Sequence, residues 1–91
     1  MGWGAARKLR AAVANLGRIL AVEVTCAARA LELRAPLRPA AGTAAALRAV
    51  RARIPGPGPD RYVAPELAAV EQLVESGELL TAVESSIGAL Q

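Results

Sequence analysis

The sequence has no histidine and no phenylalanine, and its 91 residues include one cysteine, one tryptophan and one tyrosine. Each shortage excludes something. Without histidine, the commonest general base near neutral pH and the commonest metal ligand are both missing. A single cysteine, Cys26, excludes an internal disulfide framework and fits a reducing compartment. It has no companion at metal-ligand spacing and no adjacent base, so it reads as a small hydrophobe and not as a nucleophile. Ser85-Ser86 also stands without a catalytic partner, and Tyr62 reads as a packing anchor behind a turn. The carboxylates Glu66, Glu71, Glu75 and Glu78 read as a solvated helix face. No residue is assigned to catalysis, to cofactor binding or to a metal, and the chain alone does not read as an enzyme.

Long apolar runs are scarce too. The best, Ile19 to Val22, is closed by Arg18 and Glu23, and it is too short for a signal sequence or a membrane span. Residues 1–22 are basic and lack acidic groups, as mitochondrial presequences do, but they read more simply as the start of a soluble helix. No membrane partner is expected.

What the chain does contain is alanine, 22 of them, within a hydrophobic content of 54%. Alanine buries little area per residue, so a core made of it contributes weakly in a short chain. It does let helix axes approach closely, which suits an inner helix of a large bundle. Charge is divided unevenly. Residues 1–55 carry ten Arg and Lys against Glu23 and Glu32, whereas residues 56–91 carry Arg61 against six carboxylates. Such halves fit nucleic-acid binding less simply than they fit mutual attraction or different neighbours. Arg7, Arg18 and Arg29 recur at intervals of eleven and share one polar stripe. A solvated face or a row of salt bridges explains the stripe, and a phosphate-tracking ridge is the sharper alternative.

The pattern predicts an all-α chain: one long bundle helix followed by two or three short helices, the whole a fragment of a larger bundle. The long helix is expected over about 3–34, with Leu9, Val13, Leu16, Leu20, Val24, Ala27 and Leu31 on one face and Ala12, Ile19, Val22 and Cys26 widening it. At 1.5 Å per residue it is roughly 48 Å long, far beyond the needs of so small a domain. Gly17 within it points to tight contact with another helix. Pro36 ends it, and a linker follows over 35–42. Thr43 is the expected N-cap of a helix over about 44–53, with Leu47, Val50 and Ile54 on one face and Arg48, Arg51 and Arg53 at its carbonyl end. The Pro/Gly break spans 55–59. A third helix is expected over about 65–76, opened by Pro65 and closed by Gly77, with Leu67, Val70, Leu73 and Val74 inward. A short helix over about 78–87 follows, through Leu79, Leu80 and Val83.

The order of these features resembles a family. MGWGAARKLRAAVANLGRILAVEVTCAARALELRAPL is similar to the late bundle helix of histidine ammonia-lyase and the other aromatic amino acid lyases. The resemblance is carried by Met1, Ala5-Ala6-Arg7-Lys8, Leu20-Ala21-Val22-Glu23 and Pro36-Leu37, then by Asp60-Arg61-Tyr62 and Ala64-Pro65-Glu66. It covers essentially the whole chain. What it implies is a cytoplasmic homotetramer built on a large helical bundle, eliminating ammonia from histidine or another aromatic amino acid. The family's electrophile, a methylidene-imidazolone, is made by cyclising an internal Ala-Ser-Gly. This chain has no Ala-Ser-Gly, its nearest string being Glu75-Ser76-Gly77, and it lacks the family's catalytic tyrosine loop and its Gln-Glu-Asp-His-Val-Ser stretch. No catalytic residue and no cofactor site therefore carries over. The resemblance implies a C-terminal structural segment, from a truncated or split product or from a gene whose true start lies upstream. Its partners would be the missing N-terminal part of the lyase and the other subunits.

Two rival readings remain. A standalone helical oligomerisation or adaptor module would melt cooperatively as an oligomer of this chain alone. A small basic nucleic-acid binder would lose affinity steeply with salt. The missing aromatics and the acidic second half count against the latter, and no nucleic-acid partner is expected.

Overall fold

No proline interrupts the first 33 residues, and alanine and leucine, the strongest helix formers, are spread through them. They form a single helix, α1 (Gly2–Leu33). The computed structural model describes residues 2–56 and 64–89, and among these α2 (Ala41–Arg51), α3 (Ala64–Glu75) and α4 (Glu78–Ile87) complete an all-α chain with no strand. One long helix is followed by three short ones. Residues 57–59 of the Pro/Gly break, and Asp60, Arg61 and Tyr62, lie outside the described residues.

Two helix starts differ from expectation. α2 begins at Ala41 with Ala40 as its N-cap and no side-chain cap, so Thr43 lies inside the first turn and the linker is shorter than 35–42. The third helix opens one residue earlier, at Ala64, which leaves Pro65 in the first turn, where its missing N–H is harmless. Gly77 takes a left-handed conformation (φ 82°) between α3 and α4, which lets one residue end the first helix and start the second.

α3 packs along α1, and α2 packs antiparallel on α4. The second pairing is seen at both ends. A Cβ on Gly42 of α2 would sit 3.2 Å from the Ile87 Cδ1 of α4, and Arg53 just past α2 pairs with Glu78 at the start of α4. The core is small: Ala21 and Ala28 of α1, Val50 and Ile54 from α2 and its exit, and Val70 and Leu73 of α3. Leu47 and Leu79 pack against its edge, whereas Leu80 points outward.

The face of α1 that this core covers is not the expected one. Gly17, Ala21 and Ala28 are buried, whereas Leu9, Val13 and Leu16 are exposed. Val24 and Leu31 are only half covered. The reason lies in approach distance. Where Gly17 lacks a side chain, the Glu75 carboxylate of α3 comes within 3.0 Å of the position a Cβ would take. A row of leucines would have held the helices apart. The expected tight contact at Gly17 is with α3.

The molecule extends 55 × 36 × 17 Å. Its thinnest dimension is less than two helix diameters of about 10–12 Å, so no helix can be enclosed on all sides.

The expectation that no segment reaches the length of a membrane span needs correction. By length and composition α1 could cross one, with 17% of its most apolar stretch buried. Counting uninterrupted runs missed this, because the apolar residues of α1 are spread over many turns and are interrupted by charged residues such as Arg18 and Glu23. A core helix of a soluble bundle has the same composition.

Candidate functional site

The side chains that could do chemistry are scattered. Cys26 is exposed on α1. The Ser76 hydroxyl donates to the Leu73 carbonyl (3.3 Å) and accepts from the Glu78 N–H (3.3 Å), so it serves the α3–α4 turn. The Ser86 hydroxyl reaches the Ala41 carbonyl at 3.5 Å. Among the described residues, no three of Cys, Asp and Glu gather closely enough to hold a metal ion. Arg7, Arg18 and Arg29 are all exposed, and Arg18 donates to the Asn15 Oδ1 of its own helix at 3.3 Å. Trp3, Arg7 and Arg10 flank an open depression lined by α1 alone.

The solvated-face reading of the carboxylates holds only in part. Glu78 is tied to Arg53, and Glu75 lies over Gly17. The arginines at the end of α2 do more than complement its carbonyl end. Arg51 donates from Nε to the Glu32 Oε2 at 2.7 Å, from Nη2 to Glu32 Oε1, and from Nη1 to the Pro55 carbonyl at 2.7 Å. One guanidinium thus fastens the end of α1, the end of α2 and the chain beyond it, using the fork geometry that only arginine has. The available signal in the sequence was a cluster of arginines at one helix end, with Glu32 and Glu78 at the ends of two others.

The bare side of α1 carries large apolar side chains. Leu9, Leu16 and Ile19 are each more than half exposed. With Ala5, Ala12, Glu23, Cys26, Ala30 and Leu33 they recur in alternating steps of four and three, and every one of these positions is exposed. The buried residues, Gly17, Ala21 and Ala28, lie on the opposite side of the helix. Alternating steps of three and four are the spacing by which one helix packs along another. α1 therefore carries two packing faces, and this chain covers one.

A helix made to be enclosed, in a chain that cannot enclose it, is what a segment of a larger helical protein looks like. The sequence model for aromatic amino acid lyases matches residues 1–52. The chain belongs to the aromatic amino acid lyase family. Similarity to individual members of the family continues to the last helix. The chain is 53% identical over 92 residues to a histidine ammonia-lyase of Streptomyces coelicolor, covering 100% of this chain. It is 55% identical over 93 residues to one from Streptomyces griseus, and 47% over 91 residues to one from Symbiobacterium thermophilum. In each case it spans 18% of the relative's length. No solved structure matches the chain.

Proposed function

We propose that this chain is the C-terminal structural part of a histidine ammonia-lyase. The complete enzyme would remove ammonia from histidine, leaving an unsaturated acid such as urocanate, in the cytoplasm and as a homotetramer. The observation that carries the reading is the combination of whole-chain identity to these lyases with a long helix left bare on one side. In this role α1 completes the helical bundle, while α2, α3 and α4 cover its outer face.

The family's methylidene-imidazolone does not fit this chain. The string Glu75-Ser76-Gly77 puts glutamate where the ring needs alanine, and its serine hydroxyl is engaged in the α3–α4 turn. Histidine, the usual proton carrier at neutral pH, is absent as well. The electrophile and the proton-transfer groups belong to the remainder of the lyase. What this chain supplies is packing: a rigid helix, and a clamp at Arg51 that fixes where that helix ends.

The test is complementation. The Streptomyces coelicolor relative, expressed without its matching 92 residues, should be inactive, and co-expression with this chain should restore urocanate formation, read by its ultraviolet absorbance. Ammonia release by the purified chain alone refutes the structural role. Failure of the pair to co-purify refutes the partnership.

A further inference from the structure

From Ala5 to Leu33 the bare row of α1 is apolar or small at every position but one, and that one is Glu23. We propose that the remainder of the lyase brings a basic side chain, Arg or Lys, to Glu23, which makes this carboxylate the polar anchor of an otherwise apolar contact. The pairing rests on the reading of the chain as a lyase segment, in which that remainder covers this row.

The described part of the chain gives Glu23 no counter-charge. Side chains meet along a helix at separations of three and four residues, and at those positions stand Ile19, Leu20, Cys26 and Ala27. Among the described residues Glu23 makes no hydrogen bond and no ion pair. The other carboxylate of α1, Glu32, is held by Arg51. While the row is bare, water satisfies Glu23. Leu16 and Ile19 before it and Cys26 and Ala30 after it lie on the same side of the helix, so a surface packed on them closes over the carboxylate as well. Enclosed without a counter-charge, a carboxylate strongly opposes association. A neutral donor leaves the full charge in a place with little solvent to screen it. A basic group compensates it and sets the register besides. Slipping the partner by about two turns would still match apolar layers to apolar layers, but it would carry the base away from Glu23.

The test titrates the truncated Streptomyces coelicolor relative with this chain and follows the recovery of urocanate formation. The concentration at half recovery reads association, and the plateau reads the assembled enzyme. Glu23 is exposed, so in the isolated chain its variants should unfold in urea at the original midpoint. Glu23→Leu adds apolar surface, yet it should need about thirtyfold more chain, because the basic group is left enclosed and unpaired. Glu23→Gln keeps the shape without the charge and should need about tenfold more. Both should reach the original plateau, since Glu23 holds the segment in place and takes no part in the reaction. A leucine variant that associates as well as the original overturns the pairing. So does a glutamine variant equal to the original, a plateau lowered without a shift in concentration, or a lowered urea midpoint, which would put the partner inside this chain. If the original chain neither restores activity nor co-purifies, the lyase reading falls and takes the pairing with it. If the original associates and its variants match it, the pairing falls alone.

Discussion

Replacing Arg51 with alanine tests whether the clamp, and not only the apolar core, holds the short helices against α1. The guanidinium makes two bonds to Glu32 and one to the Pro55 carbonyl, and its side chain and that of Glu32 are 19% and 22% exposed. Hydrogen bonds involving a charged group contribute about 1.5–3 kcal/mol each in protected sites, and exposed ion pairs only about 0–1. A bidentate pair at this intermediate exposure, left with a half-buried carboxylate once broken, gives a loss of about 2 kcal/mol. A protein of this length has total stability on the order of 5–10 kcal/mol, so the change is large. Urea unfolding at fixed protein concentration reads it as a midpoint lowered by about 1–2 M, for a slope on the order of 1–2 kcal/mol per M. Arg51→Lys keeps the charge but not the fork and should lose about half as much. In a double-mutant cycle with Glu32→Gln, most of the loss should appear as coupling. A midpoint that moves by less than about 0.3 M in Arg51→Ala, or a lysine variant equal to the original, refutes the clamp.

Other perturbations follow from the same packing. Gly17→Ala should stabilise α1 by about 0.5–1 kcal/mol in thermal melts, since the only close atom is the movable Glu75 carboxylate. Gly17→Leu should instead push α3 away and cost about 1–3 kcal/mol. Leu73→Ala, at a fully buried position, should cost about 2–4 kcal/mol by the same measurement. Gly77→Ala forces a side chain onto a backbone at φ 82° and should cost about 1 kcal/mol in urea unfolding. The purified chain should release no ammonia from histidine, as followed in a coupled assay.

Helix content was legible because its signals are local. Pro36 stops α1, the Pro55-Gly56 pair closes the second segment, and Gly77 divides α3 from α4 whatever surrounds them. Thr43 shows the limit of such signals: a good capping residue lies inside the first turn, because α2 starts at Ala41 with Ala40 as its N-cap and no side-chain cap. The orientation of α1 was not legible, for a physical reason. Its apolar residues cover more than one side, and periodicity cannot say which side a given neighbour takes. The deciding factor was how close α3 can come at Gly17, a property of two helices and not of one. The ion pairs Arg51–Glu32 and Arg53–Glu78 were hidden for the same reason, since their partners are 19 and 25 residues apart. For function, the ordered likeness to lyases pointed to the right family.

The two opposed packing rows of α1 constrain how this chain can change in length. One added residue turns everything beyond it by about 100°, and it would misalign both rows together. A surface helix has one packed row to realign after such a change, whereas α1 has two on opposite sides. Only insertions close to a whole number of turns, such as about seven or eleven residues, bring both rows back into line. Length variation among related sequences should therefore collect in the connections 34–40 and 52–63, and pass over the 32 residues of α1.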